Sequence, residues 1–309
     1  MGIMVVVWLF AGIIFAGYIL MVWWRHRPLF IYLLIMMGMI NIGIFVNQVF
    51  RWDIVGIEYD GLPVLLPILL GLTILIVYRS GTIITFIRER RQPRIYQIVL
   101  ILLPFALPLS LVMDFSEPER KAELLFPLPE GRWFVIQGGN SLLLNHHRRL
   151  QAQRYALDIS KIGDMGIRSV RTKSKELSAY YAYGAHVSAP CGGTIVDQED
   201  GHEERDVGTM VREQPWGNFI ALHCHEEDMT VLLLHLQPGH AKQVDDRVRT
   251  GEILGRIGNS GQTSEPHLHI HAIEGTSRDR DDLFFRGKGV PILFDGRRLQ
   301  RNDTFDVAG

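Results

Sequence analysis

Charge is scarce in the first 113 residues of this 309-residue chain, which contain eight arginines, four acidic residues and no lysine. Four long apolar runs fill that region instead, at residues 3–24, 29–50, 62–78 and 95–113. Each run has roughly the 17–25 residues that a helix needs to cross a bilayer. No basic residue precedes the first run and no small-residue cleavage site follows it, which argues against a cleavable signal peptide. We therefore predict that residues 1–113 form four transmembrane helices in a lipid bilayer.

Basic residues are unevenly distributed among the loops between these runs. Arg25 and Arg27 lie in the first loop, and five arginines lie in the third, at residues 79–94. The second loop contains only Arg51, beside acidic residues such as Asp53. Because cytoplasmic loops carry the excess of Lys and Arg, the first and third loops are expected in the cytoplasm. After four crossings, residues from about 114 onward are expected on the periplasmic or extracellular side of the cytoplasmic membrane.

A basic surface is missing from the rest of the chain. Residues 114–309 hold 24 of the 32 Lys and Arg residues and 29 of the 33 Asp and Glu residues, a formal charge of −5 with histidine neutral. Phosphate backbones require a positive surface, so nucleic acid is not an expected partner. The apolar runs lack the mid-span charge that ion pathways normally need, which disfavours a transporter or receptor. Eleven of the twelve histidines lie in this second half, where we expect the chemistry.

Long helical periodicity is also missing from the second half. After a polar linker at 114–125, short apolar runs alternate with turn residues, as in "GGTIVDQEDG", "MTVLLLHLQPG" and "GEILGRIGNSG". Runs of this length and spacing are typical of strands. We predict an all-β domain over residues 126–309, an antiparallel sheet or sandwich, with an irregular insertion at "SKIGDMGIRSVRTKSKELSAYY".

Cysteine is limited to Cys191 and Cys224. An exported pair can form a disulfide, but Cys224 alternates with Leu222 and Ile220 on one face of a predicted strand, as a core residue would. Two buried thiols are the favoured interpretation, with the disulfide as the alternative. Without a CxxC motif, two cysteines cannot form a structural zinc site by themselves.

Histidines alternate along one predicted strand. In "PHLHIHA", His267, His269 and His271 occupy every second position, so up to three imidazoles share one face while Leu268 and Ile270 face the core. Zinc takes His nitrogen and Asp oxygen, and a catalytic site keeps one position open for water. The pattern therefore indicates a candidate metal site, although three successive imidazoles on a strand would have to bend to reach one ion.

The order of several segments resembles the lysostaphin-type, or LytM-domain, zinc metalloendopeptidases. The resemblance spans about residue 126 to the end of the chain and rests on "YGAHVSAPCGGTIV", "GNFIAL", "LLLHLQPG", "VRTGEILGRIGNSG" and "EPHLHIHA". It implies a β-sheet groove that holds one Zn²⁺ between an Asp and two His. It also implies two assisting histidines and, as substrate, the peptide bonds of bacterial peptidoglycan.

Residue roles follow from this resemblance position by position. His269, the second His of His-x-His, is expected to ligate zinc, as is Asp158 in "RYALDI". His267 and His235 are expected to be the catalytic imidazoles. The family's first His ligand falls at Arg154, which cannot bind zinc because a guanidinium stays protonated.

The missing ligand has an upstream candidate in "NHH", and the resemblance favours His147 over His146. On a strand these two would face opposite ways, so only His147 is expected beside Asp158 and His269. Asn145 is expected to order the turn before it, and His271 is assigned to the surroundings of the site or to the surface.

Together these features predict a membrane-anchored zinc metalloendopeptidase that hydrolyses peptidoglycan peptides outside the cytoplasm. The alternative is a non-catalytic LytM-like domain that binds or activates another cell-wall hydrolase, which the departure at Arg154 favours. No feature of the sequence identifies a protein partner.

Overall fold

The computed structural model describes residues 40, 43–47, 50–54, 120–171, 174–209, 214–239 and 242–309. The chain divides into two compact units, Met1–Phe50 with Asp60–Ser116, and Arg51–Tyr59 with Glu117–Gly309. Within the described ranges, no helix is long and apolar enough to cross a membrane. The predicted transmembrane runs lie outside those ranges, except for residues 40, 43–47 and 50 of the second run.

Short strands carry the fold of the second unit. In its described part they are β1 (Ala122–Glu123), β2 (Gly131–Gln137), β3 (Leu157–Ile162), β4 (His186–Ser188), β5 (Gly193–Glu199), β6 (Asn218–Cys224), β7 (Met229–Leu236), β8 (Arg247–Val248), β9 (Ile253–Arg256), β10 (Leu268–Glu274), β11 (Gly289–Val290), β12 (Ile292–Phe294), β13 (Arg297–Arg298) and β14 (Thr304–Val307). Helical structure in this part is limited to 3-10 turns at Trp52–Ile54, His146–Arg149 and Leu177–Ala179, and a π-helical turn at Asp282–Arg286.

One large antiparallel sheet organises these strands. Its order is β14-β2-β3-β10-β7-β6-β5-β8, with β11 also paired to β10. The strands β4 and β9 form a separate ribbon, and β12 joins β13 and β1 in a third small sheet. The predicted all-β domain is therefore confirmed, although β1 and β12 run parallel.

Hydrophobic residues cover the central strands on both faces. The residues of β10 point alternately to the two faces of the sheet. Leu268 and Ile270 pack in the larger core cluster, whereas Ile273 on the opposite face packs in a smaller cluster with Phe284. Because strand side chains alternate, His269 lies on the face of the smaller cluster. The sheet thus places its histidines opposite the main core.

Cys191 and Cys224 form a disulfide, with 5.6 Å between their Cα atoms. The favoured expectation of two buried thiols was wrong. The pairing of β5 with β6 aligns Gly193 with Cys224, which brings Cys191, just before β5, within bonding distance. Both cysteines are buried in the main core, so Cys224 is a core residue and a disulfide partner at once.

The predicted irregular insertion was wrong at its start, because its first three residues belong to β3, which ends at Ile162. The rest of its described residues are irregular, apart from the 3-10 turn Leu177–Ala179 and an isolated bridge between Ser169 and Tyr180.

Candidate metal centre

Strand register brings two of the predicted ligands side by side. In the antiparallel pairing of β3 with β10, Asp158 lies directly opposite His269, where facing side chains are closest. His269 Nδ1 lies 2.9 Å from Asp158 Oδ1. On its other side, His269 pairs with Leu234 of β7, which leaves His235 as the next residue along that strand.

A 3-10 turn, rather than a strand, carries His146 and His147. Its N-cap Asn145 accepts a hydrogen bond from the His147 backbone N–H through its side chain. The Asn145 amide donates to the carbonyls of Gly139 and Ala156. Asn145 is fully buried and, as expected, orders the turn beside the site.

His147 lies beside Asp158, with its Nε2 atom 2.9 and 3.1 Å from the two carboxylate oxygens. Its ring meets the His269 ring edge-on, with centroids 4.5 Å apart. The structure therefore brings His147, Asp158 and His269 together, whereas Arg154 donates instead to Asn140. The expectation that His146 would point away was wrong. The 3-10 turn leaves ligand atoms of His146, His147 and Asp158 all within 4.8 Å of one another.

His271, expected near the site or on the surface, fixes the tautomer of His269. His271 Nε2 lies 2.9 Å from the Leu283 carbonyl oxygen, which can only accept, so Nε2 carries the proton. In the neutral ring, Nδ1 of His271 then accepts from His269 Nε2, 3.0 Å away. With Nε2 protonated, a neutral His269 directs the lone pair of Nδ1 at Asp158. Two acceptors then face each other at 2.9 Å.

A cation between His269 and Asp158 would relieve this opposition. Asp158 is 5% exposed, and among the described residues its ion-pair partners are imidazoles rather than Lys or Arg. Two ligand atoms bound tetrahedrally to zinc at about 2.0–2.1 Å are about 3.3 Å apart. His147 Nε2 and His269 Nδ1 each lie 2.9 Å from the carboxylate. These distances need to increase only slightly to match two ligand atoms bound to one zinc ion. The donor set fits zinc.

His235 and His267 flank this cluster in matching ways. His235 Nδ1 donates to the Ser260 carbonyl at 2.9 Å, and His267 Nδ1 donates to the Glu265 carbonyl at 2.7 Å. In their neutral forms, both rings therefore keep Nε2 as the free nitrogen. His267 Nε2 lies 3.6 Å from Asp158 Oδ1. The ring centroids of His235 and His267 are 5.1 Å apart.

His235 occupies a strained position in the sheet. Its φ is +65°, a left-handed conformation that side chains other than glycine rarely adopt within a strand. The register between β6 and β7 shifts at the same place, so His235 is an extra residue at a bulge. Bulges redirect side chains next to functional sites, which explains how His235 faces the same cluster as His267.

Part of the second unit matches a known protein family. Residues 172–280 match the sequence model of Peptidase family M23. The chain contains an M23 peptidase domain. M23 is a family of zinc metallopeptidases, and the group of His146, His147 and Asp158 provides donors that zinc takes. The matched stretch includes His235, His267 and His269, while His147 and Asp158 lie before it.

Solved structures of similar proteins match only parts of the chain or match it loosely. Lysostaphin from Staphylococcus simulans is 22% identical over 31% of this chain and 38% of its own, with a TM-score of 0.24. A zinc containing peptidase from Vibrio cholerae is 16% identical over 34% of this chain and 31% of its own, with a TM-score of 0.22. A putative glycyl-glycine endopeptidase LytM from Ruminococcus gnavus is 12% identical over 77% and 80%, with a TM-score of 0.32.

These TM-scores are too low to establish a shared overall fold, so the family assignment rests on residues 172–280. The chain spans about a third of the lysostaphin and Vibrio peptidase chains that it matches. A comparison with curated proteins gave no significant match.

Burial and mutual charge set the protonation of the M23 domain's imidazoles. Burial, and then the charge of His267, lowers the pKa of His235 to about 3. Burial lowers the pKa of His271 to about 4 and holds that of His269 well below its usual range. Burial also disfavours charge on His267, but the Asp158 carboxylate outweighs it and raises its pKa. His269 and His271 are therefore neutral at physiological pH, as the tautomer argument requires.

Proposed function

We propose that the M23 domain is a zinc endopeptidase that hydrolyses peptide bonds of bacterial peptidoglycan, with His147, Asp158 and His269 as zinc ligands. The observation that carries this proposal is the opposed pair of acceptors. The His269 Nδ1 lone pair and the Asp158 carboxylate are 2.9 Å apart in a buried site, with His147 Nε2 equally close to Asp158. The substrate class is carried by membership of family M23, whose cell-wall enzymes act outside the cytoplasm.

The chain's own residues supply the proton transfers. A zinc ion bound there would lower the pKa of a water molecule and polarise the scissile carbonyl. His235 and His267 each expose Nε2 because their Nδ1–H groups are bonded to backbone carbonyls. One Nε2 accepts the proton of the water molecule, and the other donates to the developing oxyanion. Because Nδ1 keeps its own hydrogen, an imidazole that donates from Nε2 does so as an imidazolium.

A non-catalytic domain that activates another hydrolase is the second candidate, because Arg154 occupies the place of a usual ligand. The proximity of His147 to Asp158 supports the enzyme over this candidate, since it supplies an imidazole that Arg154 cannot.

Metal removal and replacement tests the proposed activity. The purified full-length protein should release peptides from peptidoglycan, lose that activity after chelation and dialysis, and recover it on addition of one equivalent of Zn²⁺. Magnesium, which prefers oxygen ligands, is the control and should not restore activity. A protein that contains no zinc and cleaves no peptidoglycan under any of these conditions would support the non-catalytic candidate.

We further propose that residues 1–113 anchor the domain in the cytoplasmic membrane and that the domain lies on its outer side. The apolar runs and the arginine distribution motivate this topology. It is supported by Arg51 of the predicted outer loop, which pairs with Glu265 of the M23 domain at 2.7 Å.

Reporter fusions test this topology. A reporter fused after Met113 should be active only outside the cytoplasm, and one fused within residues 88–94 only inside. The reverse pattern would refute both the topology and the access of the domain to peptidoglycan.

A further inference from the structure

A ring of four charged side chains joins the segment Arg51–Asp53 to the M23 domain. Arg51 pairs with Asp53 and with Glu265, at 2.5 and 2.7 Å. Arg168 pairs with the same two carboxylates, at 3.2 and 2.6 Å. Each carboxylate thus lies between two guanidinium groups, and the four charges balance.

The ring is shielded from solvent. The side chains of Asp53 and Glu265 are 0% and 6% exposed, and those of Arg168 and Arg51 are 16% and 23% exposed. Burial disfavours charge on Glu265, but Arg51 and Arg168 outweigh it and lower its pKa. Removal of one partner from such a buried pair leaves an uncompensated charge, so the ring holds its members firmly in place.

Trp52 anchors the same segment by packing. It lies in a small apolar cluster with Phe134, Ile136 and Ile162. The Arg168 backbone N–H also donates to the Asp53 carbonyl at 3.2 Å. The segment is therefore fixed both at its charged side chains and at its indole.

Glu265 connects this ring to His267. While its carboxylate lies in the ring, its backbone carbonyl accepts from His267 Nδ1 at 2.7 Å and from the Thr263 hydroxyl at 2.8 Å. Between them stands Pro266, whose ring fixes φ. Glu265 therefore contacts the ring through its carboxylate and the His267 proton through its backbone carbonyl.

We propose that Arg51 and Asp53 are positioning residues for His267 and that they act through Glu265. The ring holds the Glu265 carbonyl where it keeps His267 in the Nδ1–H tautomer, with Nε2 directed into the site. This inference rests on the proposed function for its catalytic consequence, but the tautomer itself does not depend on turnover.

Arg51→Met in the full-length protein tests the inference. It keeps an unbranched side chain and removes the charge. We expect unchanged zinc content, unchanged KM and a kcat reduced by about 10–100-fold, the usual effect of residues that orient an active group. Long-range ¹H–¹⁵N spectra of histidine-labelled protein should show His267 changing from a single Nδ1–H tautomer to a mixture. Arg120→Met is the matched control, because Arg120 forms longer, exposed ion pairs with Asp228 and Glu274.

A double-mutant cycle tests the route through Glu265. If Arg51 acts through Glu265, Arg51→Met combined with Glu265→Gln should lower kcat no further than the stronger single variant does. Arg51→Lys, which keeps the charge but loses the two-pronged geometry, should give an intermediate effect and serves if Arg51→Met fails to fold.

Two outcomes separate this inference from the proposed function. A folded Arg51→Met or Arg51→Lys protein with wild-type kcat and an unchanged His267 tautomer would overturn the positioning role. A wild-type protein without peptidase activity would refute the proposed function, while the imidazole spectra would still decide the positioning role.

Discussion

At the scale of single residues, His235 and His267 share one arrangement: Nδ1 donates to a backbone carbonyl, so that Nε2 is the nitrogen left for the site. Neither side chain is a proposed ligand. We expect His235→Ala and His267→Ala to retain zinc and to lose about 10²–10⁴-fold in kcat, the range for acid–base and oxyanion groups. Zinc content and peptide release from peptidoglycan measure the two effects separately. Wild-type turnover in both variants would end the enzyme assignment.

His271 acts on the site through its neighbour. It holds the proton of His269 on Nε2 and leaves Nδ1 as the lone-pair nitrogen. His271→Ala removes that constraint and leaves a buried N–H without a partner, so zinc should bind about 10–100-fold more weakly. Competition with a chelator of known affinity measures this loss. His225→Ala, which changes an exposed histidine bonded to Thr194, is the control; equal zinc affinity in both variants would contradict the tautomer argument.

The sequence predicted part of this site and missed the rest for a physical reason. Strand alternation places His267, His269 and His271 on one face, and the family pattern points to Asp158 and His235. Their contacts depend on register and loop conformation. The positions of His146 and of the Leu283 carbonyl follow from a 3-10 turn and a π-helical turn, which have no periodic signature in a short, irregular stretch.

At the scale of elements, the turn between β9 and β10 supports His235. Gly217 approaches this turn closely: a Cβ there would lie 2.4 Å from the Ser260 carbonyl oxygen, and φ is +58°. Ser260 is the residue whose carbonyl holds the His235 proton. Glycine at 217 therefore permits both the backbone conformation and the contact that orients His235.

Gly217→Ala should destabilise the domain more than a matched glycine replacement. Gly275 has a similar φ of +71° but open space around it, so Gly275→Ala should cost about 1–2 kcal/mol from conformation alone. Gly217→Ala adds overpacking, which typically costs about 1–3 kcal/mol more. Chemical denaturation of the two variants measures the difference in unfolding free energy. Equal losses would show that the approach to Ser260 is not a steric constraint.

Elements were easier to predict than their connections. Short apolar runs and turn residues correctly predicted an antiparallel sheet, and β5, β7 and β9 lie within the predicted runs. The sequence could not decide between a disulfide and two thiols, because a cysteine that faces the core is compatible with both. The pairing of β5 with β6, which brings the two cysteines together, is known only from the structure. The strand expected at "NHH" failed because Asn145 caps a 3-10 turn there.

At the scale of the whole molecule, the two halves of the sequence have contrasting compositions, and an ion-paired segment of the first half belongs to the second unit. Composition predicted the contrast, since charge is scarce before residue 114. It could not predict the ring of Arg51, Asp53, Arg168 and Glu265, whose members are up to 214 residues apart. Such pairs arise from tertiary structure and leave no local pattern.

The central claim is that His147, Asp158 and His269 hold a zinc ion. His146 lies next to His147 and forms a close group with His147 and Asp158, but it is exposed, which makes the two histidines a matched pair. The most direct test is the zinc content of the full-length protein, measured by mass spectrometry after metal loading and dialysis. We predict one zinc per chain in the wild type and in His146→Ala, and almost none in His147→Ala. Retention of zinc by His147→Ala, or its loss from His146→Ala alone, would contradict the account.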